Sequence, residues 1–91
     1  MKGLNAQLSR GNLVAITYKT KRFMTGSNQT HVSSVMARRW KNGSCQYLVR
    51  NSWGKGCSNY ADGVECDGEA GAFWANEADL KASLIQTNWI P

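Results

Sequence analysis

Residues 31–51 read HVSSVMARRWKNGSCQYLVRN, and this stretch decides the fold. Apolar side chains recur along both of its halves, and Asn42-Gly43 stands between them. Asn-Gly strongly favours a two-residue hairpin because both positions tolerate a positive φ. We therefore expect a strand over residues 31–40 and an antiparallel strand returning over residues 45–51.

Short strands and helices are expected on either side of this hairpin. Leu4 to Arg10 is typical of the end of a helix, since Gly11 can take the left-handed conformation that closes a last turn. Asn76 is expected to cap a helix over residues 77–83. Runs of β-branched, aromatic and alternating apolar residues predict further strands at 13–18, 72–75 and 85–90.

Polar segments rich in Gly, Asn and Ser separate these elements. We expect a loop over residues 19–30, with Phe23 and Met24 buried beneath it, and a loop over residues 54–71. A lone hairpin is not stable, so the other strands must complete its sheet. The expected fold class is α+β, mostly antiparallel β with short helices, in one domain of 91 residues.

Composition excludes several classes of protein. Hydrophobic residues make up 42% of the chain, which favours a folded unit over disorder. No apolar run is long enough to span a membrane, so we expect no membrane partner. Residues 1–10 lack the apolar segment of a signal peptide, so we expect either that the protein stays where it is made or that a targeting segment lies upstream.

The formal net charge of +5 raises the question of a nucleic-acid partner. No nucleic-acid motif accompanies the charge, and neighbours such as Arg38 and Arg39 point to opposite faces of a strand. We therefore expect solvated strand ends and no nucleic-acid partner. The basic clusters are Lys19, Lys21 and Arg22, and then Arg38, Arg39 and Lys41.

Three cysteines, Cys45, Cys57 and Cys66, follow the hairpin turn. Their spacings of twelve and nine residues match no common zinc pattern, so no metal or cofactor is expected. Cys57 and Cys66 flank a flexible segment that a disulfide would close easily, which would suit an oxidising compartment. Two buried free thiols are the alternative.

His31, the chain's only histidine, opens one predicted strand, and Asn51 ends the next. A carboxamide oxygen that accepts the proton of one ring nitrogen fixes the tautomer and directs the other nitrogen toward a nucleophile. Either residue alone is common in a structural role. The hairpin that joins them makes the pair more specific.

These two strands resemble the β-rich C-terminal half of papain-like cysteine peptidases. Residues 31–37 are similar to that family's histidine strand, and residues 47–54 to its asparagine strand, which ends in Asn51-Ser52-Trp53-Gly54. The segments GNLVAI at 11–16 and AFWA at 72–75 resemble the flanking strands more loosely. The resemblance implies that residues 1–91 form the C-terminal half of the domain.

By this resemblance His31 is the general base and Asn51 orients it. Trp53 would lie over the pair, with Ser52 and Gly54 as supporting motif residues. The family's nucleophilic cysteine precedes its histidine, whereas every cysteine here follows His31. We therefore expect the cysteine-bearing N-terminal half to be absent and the chain to be inactive alone.

The resemblance also implies partners and a location. The partners are a peptide or protein substrate and the missing half of the peptidase domain. A secreted or periplasmic location is favoured. The alternative is a non-catalytic papain-like module that binds peptides or proteins. Two positions differ from the family's usual residues, namely Thr30 before the histidine and Ala37 six residues after it.

Overall fold

The predicted hairpin is present in a computed structural model of the chain, which describes residues 2–11, 13–24, 29–50, 60–61, 63–68 and 71–90. Strand β2 (Thr30–Lys41) pairs antiparallel with strand β3 (Ser44–Arg50). Asn42 has φ 54° and Gly43 has φ 73°, both in the left-handed region that this two-residue turn requires.

Four more strands extend this hairpin into one six-stranded sheet. They are β1 (Leu13–Lys19), β4 (Glu65–Asp67), β5 (Ala72–Asn76) and β6 (Leu84–Ile90). The strand order is β4-β5-β3-β2-β1-β6, and every pairing between the named strands is antiparallel. With helices α1 (Lys2–Ser9) and α2 (Glu77–Ser83), the structure is mostly antiparallel β with two short helices, as expected for α+β.

A β-bulge divides β2 into two segments of opposite alternation. Val35 lies opposite Val49 of β3, but Ala37 lies opposite Leu48, so β2 carries one extra residue between these pairs. Odd-numbered residues before the bulge share a face with Val49. After the bulge the even-numbered residues of β2 lie on that same face, and Arg38 is therefore opposite Tyr47.

The core lies on the sheet face that carries Tyr47 and Val49, which we call the helix face because Leu4 of α1 and Leu80 of α2 pack there. Alternate residues of β1 point into this core, as the period of a strand requires. Phe23 and Met24 are buried against it, which confirms the sequence prediction. The other buried apolar members are Val14, Ile16, Tyr18, Val35, Phe73 and Ala75.

Two local predictions were wrong. The predicted loop over residues 54–71 contains β4, a three-residue strand that pairs with the edge of β5. Asn76 does precede α2, but its side chain makes no capping hydrogen bond. Its Oδ1 instead accepts a hydrogen bond from Nε2 of Gln46 at 2.9 Å, because β3 lies beside β5 at this point.

Among the residues described, no helix is long and apolar enough to cross a membrane. The same residues contain no cluster of three or more side chains suited to holding a metal ion.

Candidate functional site

His31 is the second residue of β2, and its side chain projects from the helix face. It lies directly opposite Tyr18 of β1, and the two rings are 6.5 Å apart and tilted by 36°. Tyr18 is fully buried, whereas His31 is half-buried. The imidazole therefore has a buried aromatic wall on one side while part of its surface remains accessible.

The environment of Tyr18 is strongly apolar. Its ring packs edge-on against Phe23 at 6.0 Å and near Phe73 at 6.5 Å. Burial, with a smaller effect from nearby Tyr60, raises the pKa of Tyr18 well above its ordinary value. Tyr18 therefore stays neutral and acts on His31 through packing.

Gln29 makes a direct polar contact with His31. Its Oε1 lies 3.2 Å from Nε2 of the imidazole. Residues 29 and 31 are two apart in extended backbone, so their side chains project to the same side. Sequence reasoning did not assign this role to Gln29, and that spacing is the one signal that pointed to it.

The backbone of Gln29 is tied to Thr20, which is fully buried after the end of β1. The amide of Thr20 donates to the carbonyl oxygen of Gln29 at 2.9 Å. The Thr20 hydroxyl accepts from the amide of Gln29 at 3.0 Å and lies 3.2 Å from the same carbonyl oxygen. Gln29 thus approaches His31 from a fixed position.

The asparagine side of the predicted site lies outside the described residues, which stop at Arg50 on this strand. This applies to Asn51, Ser52, Trp53 and Gly54. Ser33, two residues beyond His31, donates a hydrogen bond from its hydroxyl to the carbonyl oxygen of Arg50. The end of β3 therefore lies beside the first residues of β2. That His31 and Asn51 share a face stays a prediction.

The cysteines fall into two chemical states. Cys66 in β4 is disulfide-bonded, and Cys45 in β3 is a free, half-buried thiol. Cys57, the predicted partner of Cys66, lies outside the described residues, so the pairing stays a prediction. Cys45 pairs with Trp40, nine residues along β2 from His31. That is roughly 30 Å along the strand, too far for proton transfer to the imidazole.

The opposite face of the sheet carries a polar network that is separate from His31. The Arg39 guanidinium lies 4.0 Å over the Trp74 ring, and its Nη2 is 3.0 Å from Oε1 of Glu65. Lys41 reaches the same oxygen at 2.9 Å. Hydrogen bonds from Arg39 and Lys41 lower the pKa of Glu65 to about 2. This network links β2, β5 and β4 and has a structural role.

Two large apolar side chains of β2 are exposed, although the sequence pattern assigned both to an apolar strand. Val32 is 69% exposed and Trp40 is 74% exposed. Arg38, Arg39, Trp40 and Cys45 line a shallow groove of about 300 Å³ near the hairpin turn. As predicted, Arg38 and Arg39 diverge: Arg38 bonds Ser9 of α1 and Arg39 stacks on Trp74.

Comparisons with protein-family models, curated proteins and solved structures find no match to this chain.

Proposed function

We propose that this chain supplies the general-base histidine and the orienting asparagine of a papain-like cysteine peptidase. The nucleophilic thiol would come from a cysteine-bearing half outside these 91 residues. The observation that supports this most directly is the Ser33 hydrogen bond to Arg50. It joins the end of β3, the residue before Asn51, to β2 two residues beyond His31, which supports a placement of the two motifs side by side.

His31 would act by taking the proton of the incoming thiol. The resulting thiolate attacks the peptide carbonyl carbon, and the imidazolium then gives its proton to the leaving amine. An amide from Asn51 would orient the ring without adding the negative charge of a carboxylate. The donors that stabilise the oxyanion would belong to the other half.

The surroundings of His31 suit a base that must meet a partner from outside. The ring of Tyr18 lies 6.5 Å from the imidazole on one side, and His31 is half-buried, so part of the residue is open to solvent. Cys45 is too distant to serve as the nucleophile. A chain with this arrangement is expected to have no peptidase activity alone.

The alternative function is a non-catalytic papain-like module that binds peptides or proteins. The exposure of Trp40 beside Arg38 favours it, since tryptophan and arginine are enriched among residues that dominate binding energies. The groove lies at the far end of β2 from His31. A binding function centred there would be insensitive to substitution of His31.

Reconstitution tests the peptidase function. The chain is combined, fused or in trans, with a cysteine-bearing helical half of a papain-like peptidase, and hydrolysis of peptide substrates is measured. We expect turnover that His31→Ala lowers by about 10²- to 10⁴-fold, the usual contribution of a general base. Asn51→Ala should lower kcat with little change in KM.

Cys45→Ser is the matched control, because its thiol lies at the opposite end of β3 and should not affect turnover. Activity in the reconstituted pair that ignores His31 would contradict the proposal. Turnover by the isolated chain that survives His31→Ala would contradict it equally.

A further inference from the structure

We propose that Gln29 is a second positioning residue for His31, and that it sets the tautomer of the imidazole by accepting the proton on Nε2. This inference rests on the proposed function, in which His31 is the base. It begins from the 3.2 Å contact between Oε1 of Gln29 and Nε2 of His31.

The direction of this hydrogen bond follows from the chemistry of its two atoms. A carboxamide oxygen can only accept, so the contact requires the proton to be on Nε2. In the neutral ring Nδ1 is then unprotonated and is the nitrogen that takes a proton from a thiol. Under the proposed function Asn51 would accept from the same Nε2–H, so both amides would select one tautomer. Gln29 therefore selects the form of His31 in which Nδ1 is the base.

Gln29 is suited to this role because its backbone is held in place. The contacts between Thr20 and Gln29 are hydrogen bonds through both the amide and the carbonyl of Gln29. Thr20 is fully buried, so this anchor is part of the core. The Gln29 side chain is exposed, and replacing it leaves the anchor intact.

The chain is well suited to a direct test because His31 is its only histidine. Long-range ¹H–¹⁵N spectra of the isolated chain, recorded where the ring is neutral, give the populations of the two tautomers. We expect the Nε2–H form to dominate in the native protein. Gln29→Ala should lower the ratio of the Nε2–H to the Nδ1–H form by about threefold or more, which corresponds to the net free energy of one modest hydrogen bond.

Two further variants separate orientation from packing. Gln29→Glu places a carboxylate against Nε2, which stabilises the imidazolium, so the midpoint of the His31 titration should move to higher pH. Thr20→Val removes the hydroxyl but keeps the size of the side chain. It should shift the tautomer ratio in the same direction as Gln29→Ala, by less, because the backbone bond from residue 20 remains.

Gln86→Ala is the control, since Gln86 is an exposed glutamine on β6 and should leave the His31 spectrum unchanged. A tautomer ratio that is unaffected by Gln29→Ala would overturn the inference. In the reconstituted pair, Gln29→Ala should lower kcat by about tenfold, with KM little changed, and Gln29→Asn should recover part of the loss.

The spectra and the turnover assay separate this inference from the proposed function. A changed tautomer ratio in a chain that never gains hydrolytic activity would refute the peptidase function while leaving Gln29 as the residue that orients His31. A reconstituted peptidase that needs His31 but ignores Gln29 would refute only the role of Gln29.

Discussion

The two tyrosines of the core, Tyr18 and Tyr47, allow a matched test of the packing described above. Both are fully buried. The Tyr47 hydroxyl lies 2.7 Å from Oδ1 of Asn5 and 3.3 Å from Oε2 of Glu77. Among the described residues, the Tyr18 hydroxyl has no hydrogen-bond partner. We expect removal of these two hydroxyls to change stability in opposite directions.

The expected magnitudes follow from those contacts. A buried hydroxyl without a partner costs about 1–3 kcal/mol, so Tyr18→Phe should stabilise the fold by about 1 kcal/mol. Tyr47→Phe loses a hydrogen bond that ties β3 to α1, and should destabilise it by about 1–2 kcal/mol. For a domain of this size each 1 kcal/mol changes Tm by about 4–8 °C, so the variants should melt on opposite sides of the native protein.

The assay is equilibrium unfolding in urea, with the disulfide intact. Tryptophan fluorescence and far-UV circular dichroism should give coincident transitions with an m-value equal to that of the native protein. The midpoint then reports the change in free energy of unfolding. Both variants keep the aromatic ring, so ring packing is held constant.

One result would refute the reasoning directly. If Tyr18→Phe lowers the stability by 1 kcal/mol or more, the Tyr18 hydroxyl has a partner that stabilises it, and the apolar wall beside His31 is described incorrectly. A Tyr47→Phe protein as stable as the native one would show that the link between β3 and α1 contributes nothing.

Three further predictions concern ionisable groups and thiols. Burial raises the pKa of both core tyrosines, so their contribution to stability should be complete below about pH 10 and be lost as pH rises above it, a loss that Tyr47→Phe should reduce in titrated unfolding experiments. The lowered pKa of Glu65 adds stability that is present above about pH 4.5 and lost as pH falls toward 2. Glu65→Gln should therefore flatten the acid limb of the stability profile, and high salt should shrink the difference. Thiol titration in denaturant without reductant should find one thiol per chain, lost in Cys45→Ser; three thiols would contradict the disulfide at Cys66.

Local sequence signals predicted much of the fold. Asn42-Gly43 determined the hairpin because its turn depends only on adjacent backbone angles. Alternation over residues 13–18 predicted the buried side of β1, and the bounds of α2 agree with the prediction at 77–83. Each of these depends on interactions within a few residues.

The remainder depends on contacts between distant segments. Residues 65–67, Glu-Cys-Asp, have little strand character and pair because β5 offers a free edge. Asn76 does not cap α2 because its side chain accepts a hydrogen bond from Gln46 on a neighbouring strand. At the candidate site, His31 was evident from the sequence, whereas the role of Gln29 depends on its anchor at Thr20, which only the folded chain brings together.

The extra residue in β2 has a consequence for how this strand tolerates change in length. The bulge reverses the alternation of side chains along β2. As a result Arg38 lies on the side of α1, and Arg39 contacts Trp74 and Glu65 on the other face. Deleting Lys41 while the Asn42-Gly43 turn is kept would remove the need for the bulge, restore regular alternation and move Arg38 opposite Gln46 and Arg39 opposite Cys45. Arg39 would lose its aromatic and acidic partners, and Trp40 would leave its place opposite Cys45. Between His31 and the turn, the sheet face that each side chain occupies therefore depends on the number of residues in β2. Substitutions there are tolerated more easily than insertions or deletions.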